Sequence, residues 1–175
     1  MSEHEVDPSS FKAACGQFPT GVMIFTISGN SGEAHGLTVN SFASVSMDPP
    51  LVLVCIHRES TIMAEVAIGR YFGLNILSEF QGSLSVNFSK PSRNRFRDVD
   101  RIEGITGVPL LENVSGTLEC SICELRPTGD HVIIIGHVVK ATTNNHWPLT
   151  YVNRRYSRIE RVAEPHMLVT AHNSK

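Results

Sequence analysis

The sequence predicts a mainly β fold: an antiparallel barrel, closed or partly closed, with a few capping α-helices. Six or seven apolar runs have the length of strands, and turn residues separate several of them in the manner of hairpins. The helical signals are short and do not alternate with the strands as a parallel α/β sheet would require. An antiparallel barrel therefore fits the pattern best, and 175 residues favour one domain.

The helices are predicted from capping residues. They are expected over 11–17 behind Ser10, over 61–68 behind Ser60, and from Ser78 to about Phe88. Pro19 would end the first of them. We expect short helices of this kind to cover the ends of the barrel rather than to separate its strands.

The strands are predicted from apolar periodicity. They are expected at 21–27, 34–41, 51–56, 71–77, 117–125 and 131–142, with a short closing segment at 147–159. The turn residues between the first two predict a hairpin, and the third is apolar throughout, so we expect it to be dry on both faces. Gly136 predicts a bulge or a close backbone approach. Residues 89–112 are expected to be irregular.

The segment Gly36–Pro50 carries the strongest functional signal. Apolar residues alternate there with small hydroxyl and amide residues, and no charged residue precedes Asp48. Thr38, Asn40 and Phe42 share one face of the predicted strand, which is expected to run into a Ser-rich loop. Uncharged polar groups of this kind suit a planar heterocycle that is rich in hydrogen-bond donors and acceptors.

A second signal follows the strand 51–56. Ser60 at a predicted helix start, the free N–H groups of the first turn and the charge of Arg58 together form an anion site. An ordinary helix cap is the alternative interpretation. Taken with the polar segment before it, the pattern favours a phosphate site.

Three further segments allow two interpretations each. The basic cluster Arg93–Arg97 is a solvated helix end or a phosphate contact. His131 is a polar residue at a strand start or a group facing a ligand. Tyr151–Tyr156 combines aromatic residues with Arg154 and Arg155, and is a surface strand or a nucleotide clamp, because arginine and tyrosine both stack on bases.

Composition excludes several classes of function. The net charge of −2 gives no electrostatic case for nucleic acid, and no apolar run approaches the length of a membrane span. The polar N-terminus predicts no signal peptide, so we expect a cytoplasmic protein with reduced cysteines. Charged residues make up only 18%, which predicts surface covered by a partner or a second copy. The expected domain is 11–160, between tails at 1–10 and 161–175.

Several catalytic motifs are absent from the chain. It has no G-x-G-x-x-G, no P-loop and no G-x-S-x-G. Cys120 and Cys123 lie in a predicted strand, where residues three apart face opposite sides, so they are expected to be structural. No histidine–carboxylate spacing suggests a metal site.

A family resemblance rests on motifs whose order and spacing are specific although each is weak alone. They are Phe18–Val22, Gly36–Ser46, Asp48–Cys55, Asn75–Leu77, Gly129–His131 with the following strand and Gly136, and Arg154–Tyr156. Over about residues 11–158 the chain resembles the short-chain flavin reductases of two-component flavin-dependent monooxygenases. The resemblance implies an FMN-binding split barrel, an antiparallel Greek-key β-barrel, in a homodimer with flavin near the subunit interface.

The resemblance also implies site residues. Those expected at the isoalloxazine and ribityl groups are Thr38, Asn40, Ser41 and Ser44. Those expected around the phosphate are Cys55, Arg58, Ser60 and Thr61, with Phe88 and Ser89 lining the same site. Those expected on the nicotinamide side are His131, Arg155 and Tyr156, with His131 as the catalytic candidate that positions the nicotinamide. Glu59 departs from this pattern, since it places a negative charge beside the expected phosphate.

The implied activity is that of an NAD(P)H:flavin oxidoreductase, in which hydride passes from nicotinamide to FMN or FAD. Reduced flavin would then diffuse to a partner monooxygenase. The cofactors carry this chemistry, which accounts for the absence of a triad or paired carboxylates. Two alternatives stay open: a flavoenzyme with tightly bound flavin that reduces another acceptor, and a non-catalytic flavin-binding module. The choices between FMN and FAD and between NADH and NADPH also stay open.

Overall fold

The computed structural model describes residues 6–92 and 94–160. Its helical elements are α1 (Pro8–Gly16), α2 (Gly82–Ser89) and a 3₁₀ turn (Thr61–Ala64). Its strands are β1 (Thr20–Gly21), β2 (Met23–Ser28), β3 (Ala34–Val39), β4 (Ala43–Met47), β5 (Pro50–His57), β6 (Tyr71–Ile76), β7 (Arg101–Glu103), β8 (Pro109–Leu111), β9 (Gly116–Thr128), β10 (His131–Thr143), β11 (Thr150–Val152) and β12 (Arg155–Ser157). No helix in these ranges is long and apolar enough to cross a membrane.

The main sheet has seven strands in the order β3-β2-β6-β9-β10-β5-β4, and each neighbouring pair is antiparallel. A three-stranded sheet, β1-β11-β12, and the hairpin β7-β8 complete the fold. The order of the strands in the sheet departs from their order in the sequence: β2 lies next to β6, and β10 lies next to β5. The mainly β, antiparallel prediction is confirmed.

The main sheet curls around one hydrophobic core. Val39 from the edge strand β3 lies in the same buried cluster as Val52 and Val54 from β5, next to the opposite edge. Phe25 and Phe72 stack inside it with ring centroids 4.9 Å apart, and both are fully buried. Residues from the two ends of a sheet can share a core only if the sheet bends round on itself, so the barrel prediction is confirmed.

A second cluster is covered by α2. Phe88 packs there with Ile24, Leu77 and Leu149, and its ring meets Phe96 edge-on at a centroid distance of 4.9 Å. The helix thereby covers part of the outer surface of the barrel. Its carboxyl end is followed along the chain by Arg95, which lies beside the candidate site.

The bulge at Gly136 is confirmed. The pairing of β10 with β9 shifts register between Ile135 and Gly136. A Cβ at Gly136 would lie 2.5 Å from the Phe72 ring and 3.0 Å from the Cβ of Cys120. The backbone therefore approaches the core too closely for any larger residue.

The helix predictions need correction. The first helix begins at Pro8, because the Asp7 carboxylate accepts a hydrogen bond from the Ser10 N–H at 2.9 Å and proline suits the first helical position. Hydrogen bonds from Ser9 and Ser10 lower the pKa of Asp7 to about 2. Ser10 is thus inside the helix rather than its cap.

The other two predicted helices are shorter than expected. Only a single 3₁₀ turn follows Ser60, whose side chain makes no capping hydrogen bond; the β-branched residues in 61–68 disfavour a continued helix. The second helix begins at Gly82 rather than after Ser78, because the Gln81 N–H closes a turn onto the Ser78 carbonyl at 2.9 Å.

Three strand predictions also need correction. The predicted strand 34–41 ends at Val39, and the Ser-rich segment after it is not a loop throughout, because Ala43–Met47 forms β4 and pairs with β5. The strand β5 is not dry on both faces of the single chain: Val52, Val54 and Ile56 are buried, whereas the alternate residues are half-exposed. Residues 89–112 contain the hairpin β7-β8, and buried Glu119 accepts the N–H groups of its connecting loop.

Candidate functional site

A hydrogen-bonded chain links three parts of the fold at the polar end of β3. The Thr38 hydroxyl donates to the Ser85 carbonyl of α2 at 2.7 Å. The Tyr156 phenol of β12 donates to the Ser85 Oγ at 2.9 Å. Thr38 and Tyr156, both predicted site residues, are thus brought together by Ser85, a buried residue that the sequence analysis did not single out.

The residues that follow β3 add further polar groups at this end of the strand. Asn40 is exposed, and its Nδ2 donates to the Thr20 Oγ1 at 3.2 Å. Ser41 turns inward, where its hydroxyl donates to the Cys55 carbonyl and accepts from the Cys55 N–H, both at 2.9 Å. Ser44 lies exposed on β4. Asn40 and Ser44 therefore face solvent, whereas the Ser41 hydroxyl closes the barrel against β5.

A cleft of about 640 Å³ lies at the expected phosphate end. Its lining residues are Glu59, Ser60, Thr61, Pro91, Ser92 and Arg95. Two hydroxyls from the 3₁₀ turn region and one guanidinium from the loop after α2 thus face one volume. Because the helix predicted over 61–68 is a single 3₁₀ turn, the anion site cannot rest on a helix dipole and depends on these side chains instead.

Arg95 supplies the positive charge that the sequence analysis assigned only loosely to the basic cluster. Its Nη1 donates to the Gly36 carbonyl at 2.7 Å and its Nε to the Lys90 carbonyl at 2.9 Å. Partial burial lowers its pKa from the ordinary value, but a guanidinium stays charged at neutral pH. Arg95 therefore joins the loop after α2 to β3 and presents a fixed charge at the cleft.

The remaining residues expected at the phosphate are distributed differently. Arg58 is exposed beyond the end of β5, and Cys55 is half-buried within it. Phe88 is fully buried in the second core cluster, so its ring supports the site from behind and does not line it. Ser89 is exposed at the end of α2, where its hydroxyl donates to the Val86 carbonyl at 2.9 Å.

His131 belongs to a cluster at the junction of β5 and β10. Its Nδ1 lies 2.7 Å from the Asp130 Oδ1, and its ring meets the His57 ring in a T-shaped contact with centroids 5.3 Å apart. The hydrogen bond from His131 lowers the pKa of Asp130. The sequence analysis named His131 but did not pair it with His57, which lies 74 positions earlier.

The Tyr151–Tyr156 segment is a hairpin. Asn153 and Arg154 have positive φ values of 50° and 62° in its turn, and the Tyr151 and Tyr156 rings lie 5.4 Å apart across the strands. Arg155 is exposed on β12. The hairpin joins the site through Tyr156, whereas Arg155 forms no hydrogen bond or ion pair with the other site residues in the described part of the chain.

Two other features lie away from these residues. A cleft of about 1000 Å³ is lined by Arg97, Arg101 and Glu103 among others. In the described part of the chain, one histidine–carboxylate group, Glu33, His35 and Glu65, has potential ligand atoms within 4.8 Å of one another. Arg70 lies 3.8 Å from the Glu65 Oε2 and supplies a positive charge there, so we assign no metal to the group.

The cysteine prediction agrees with the structure. Cys120 and Cys123 both lie in β9, the first fully buried and the second exposed. Burial raises the pKa of the Cys120 thiol to about 12, so it is not a nucleophile at neutral pH. A dithiol pair would need both side chains on one face.

Comparisons with known proteins agree with this fold. The family model described as "Flavin reductase like domain" matches residues 15–160. The stachydrine N-demethylase reductase subunit of Rhizobium meliloti is 38% identical over 138 residues, which cover 79% of this chain and 60% of that protein. A probable flavin reductase of the same organism is 41% identical, over 79% of this chain and 44% of that protein. The chain thus spans about half the length of these two relatives.

Other relatives match over most of their length. The NADH-dependent FAD reductase of Streptomyces globisporus is 36% identical over 151 residues, which cover 82% of this chain and 80% of that protein. A solved structure of the NADH:FAD oxidoreductase of Streptomyces globisporus C-1027, in complex with NAD and FAD fragments, superposes with a TM-score of 0.84 at 33% identity. That match covers 92% of this chain and 99% of the solved chain. Sequence and structure agree, and this chain belongs to the flavin reductase like family.

Proposed function

We propose that the protein is an NAD(P)H-dependent flavin reductase that reduces FMN or FAD and supplies the reduced flavin to a flavin-dependent monooxygenase. The observation that carries this proposal is that β3 is tied to two polar groups of residues. The Thr38–Ser85–Tyr156 link joins β3 to α2 and β12, and Arg95, which binds the Gly36 carbonyl of β3, lines the cleft with Ser60 and Thr61. Relatives described as NADH-dependent FAD and FMN reductases support the choice of reaction.

The donor set at the cleft fits a phosphate. Ser60 and Thr61 contribute hydroxyl groups, and Arg95 contributes a guanidinium with donors beyond the two that its backbone contacts use. Glu59 lines the same cleft. Its carboxylate would repel the second or third negative charge of a ligand with more than one charge. We therefore assign the flavin phosphate to this cleft, held by hydroxyls and one fixed cation.

The polar end of β3 fits the heterocycle. The Thr38 hydroxyl already donates to Ser85, so it offers oxygen lone pairs to a ring N–H. Asn40 is exposed and donates one hydrogen bond, to Thr20, so its carbonyl and second N–H are available. Ser44 adds an exposed hydroxyl. These uncharged groups would bind and orient a ring without the desolvation cost of a charge.

The nicotinamide side is assigned to His131, Arg155 and Tyr156. His131 has one ring nitrogen engaged by Asp130, and the other is available to a ligand. We assign His131 to positioning the nicotinamide rather than to proton transfer. When both cofactors are bound, nicotinamide supplies a hydride that the flavin accepts, and the protein contributes stacking geometry and exclusion of water.

We further propose a homodimer formed through the outward faces of β5 and β10. Leu53, Cys55, Ile133 and Ile135 are half-exposed there, and cross-strand pairing places them on one face. No residue of α1 is buried within the single chain. An apolar sheet face of this extent fits a second copy of the chain.

Light scattering during gel filtration tests the dimer. Ile135→Asp should shift the protein to the monomer mass, because it places a charge in the interface. Ile105→Asp, at an exposed residue of the β7-β8 loop, is the matched control and should stay dimeric. A monomeric wild-type protein would refute the homodimer and leave the reductase proposal standing.

We place the protein in the cytoplasm, where NADH is regenerated and thiols stay reduced. Its four cysteines, all in the described residues, are unpaired. The partner monooxygenase is proposed to receive flavin by diffusion. Relatives named as reductase components of two-component enzymes, such as that of trigonelline monooxygenase in Acinetobacter baylyi, support this.

A steady-state assay tests the activity. Oxidation of NADH and of NADPH is followed with FMN, FAD, riboflavin or no flavin added. The proposal predicts turnover that requires added flavin and saturates with it. Purification of a stoichiometric flavin complex without turnover of free flavin would instead support a flavoenzyme that reduces another acceptor.

A further inference from the structure

We propose that His57 is a positioning residue for His131 and acts through Asp130. Together, His57 and Asp130 keep the Nε2 of His131 unprotonated. This nitrogen can then accept a hydrogen bond from the carboxamide N–H of nicotinamide. This inference rests on the proposed function, which assigns His131 to the nicotinamide.

The geometry places all three side chains at one corner of the barrel. His57 ends β5 and His131 begins β10, and the two are direct cross-strand partners. Asp130 lies in the turn before β10, and its carbonyl accepts the Arg58 N–H at 3.0 Å. This backbone bond holds the turn against the end of β5. Within the single chain the three side chains are 46%, 72% and 44% exposed in the order His57, Asp130, His131. They lie at the last residue of β5, in the turn and at the first residue of β10, so a ligand can reach them from the edge of the proposed dimer face.

The hydrogen bond to Asp130 assigns the proton of His131. The pKa of Asp130 is lowered, so the group is a carboxylate at neutral pH and can only accept. The His131 Nδ1, 2.7 Å from the Asp130 Oδ1, must therefore be the donor. In the neutral ring the other nitrogen, Nε2, then carries a lone pair. A lone pair is the complement of the amide N–H that a nicotinamide carboxamide presents.

The proton of His57 is assigned by a different contact. The backbone N–H of Glu59 donates to the His57 Nδ1 at 3.2 Å, so this nitrogen carries the lone pair and Nε2 carries the hydrogen. The His57 Nε2 lies 4.0 Å from the Asp130 Oδ2. One carboxylate thus faces an N–H group on each side, from His131 on Oδ1 and from His57 on Oδ2.

This arrangement explains how His57 could affect a ligand that it does not touch. Asp130 is an exposed side chain with two rotatable bonds, and an attraction on one oxygen alone would leave it free to turn. The N–H of His57 attracts the second oxygen across 4.0 Å, and the His57 and His131 rings pack edge to face. Loss of His57 would release Asp130 and allow His131 to adopt the Nε2–H tautomer, which presents a donor where an acceptor is needed.

Two substitutions separate the contacts of His57. His57→Asn keeps an acceptor near the position of Nδ1 for the Glu59 N–H but has no group that reaches Asp130. His57→Gln can place an amide N–H near the position of Nε2. We therefore expect His57→Asn to lose the preference of His131 for the Nδ1–H tautomer and His57→Gln to retain most of it. Thermal unfolding checks that both variants are folded.

The direct measurement is long-range ¹H–¹⁵N NMR of the imidazole nitrogens in the full-length protein, at a pH where the rings are neutral. Wild type and His57→Gln should show His131 protonated at Nδ1, whereas His57→Asn should show a mixture of tautomers. The KM for NADH should rise roughly twofold to fivefold in His57→Asn, within the range expected for an exposed charged contact, with kcat and flavin affinity unchanged.

Two results would overturn the inference: His131 protonated at Nε2 in wild type, or an unchanged tautomer and KM in His57→Asn. Failure of the proposed function would look different. If His131→Ala left the KM for NADH unchanged, the assignment of His131 to nicotinamide would fall, whatever the tautomer.

Discussion

The hydroxyl of Ser41 forms two hydrogen bonds with the backbone of Cys55, donating to its carbonyl and accepting from its N–H, both at 2.9 Å. The backbone pairing of β4 with β5 reaches only as far as Ala43 opposite Leu53. The side chain of Ser41 thus continues the pairing of β5 beyond the end of β4. It joins the polar segment after β3 to the opposite part of the barrel.

Ser41→Ala should therefore lower the free energy of unfolding by roughly 1–3 kcal/mol, because two backbone groups lose their partner. Chemical denaturation measures this. Ser44→Ala, at an exposed hydroxyl three residues further along the chain, should change the free energy of unfolding by less than about 0.5 kcal/mol. Equal effects of the two substitutions would show that the Ser41 contact does not close the barrel.

Gly136→Ala should destabilise the protein by roughly 1–3 kcal/mol through overpacking. The added Cβ would lie 2.5 Å from the Phe72 ring, which is fully buried and already stacked on Phe25. Gly21→Ala is the matched control, since its Cβ would meet nothing within 4 Å. A thermal melt compares them, and a Gly136→Ala protein as stable as wild type would contradict the close packing at the bulge.

Arg95→Gln should weaken FMN binding by roughly 1.5–3 kcal/mol, the range for a hydrogen bond to a charged group, and should leave riboflavin binding almost unchanged. Titration by flavin fluorescence gives both affinities. Arg97→Gln, whose side chain is 78% exposed and lines the other cleft, should affect neither. An equal loss for FMN and riboflavin would mean that Arg95 supports its loop and does not contact phosphate.

His131→Ala should raise the KM for NADH roughly threefold to tenfold, equivalent to one hydrogen bond, and should change flavin affinity by less than about twofold. Steady-state kinetics and flavin titration measure the two effects separately. His35→Ala removes another half-exposed histidine, paired with Glu33, and should alter neither. Parallel losses of flavin and NADH binding would argue that His131 supports the barrel mouth.

Local sequence signals predicted the parts of the fold that local chemistry decides. The β2-β3 hairpin follows from turn residues between two apolar runs, and it formed as expected. Gly136 marked a bulge because glycine in a strand interior has few other uses. The start of α1 was also available in the sequence: an aspartate directly before a proline is a cap followed by a favoured first residue, and the prediction chose Ser10 instead.

The parts that were missed depend on contacts between distant residues. The strand β4 has the composition of a loop and becomes a strand because β5 offers it an edge. Ser85 is 47 positions from Thr38, and Arg95 is 59 positions from Gly36. Neither contact can be predicted from the spacing of residues along the sequence. Phe88 was expected to line the site, but its ring is fully buried in the second core cluster, because of helix packing that the sequence does not display.

We propose that this small barrel binds a flavin and presents it to a nicotinamide hydride donor. This proposal is tested most directly by mixing the protein with FMN or FAD and NADH or NADPH without oxygen, in a stopped-flow instrument. We expect the visible absorbance of oxidised flavin to disappear at a rate that requires the protein and saturates with the nicotinamide. Flavin that stays oxidised with either nicotinamide, in a folded protein, would contradict it.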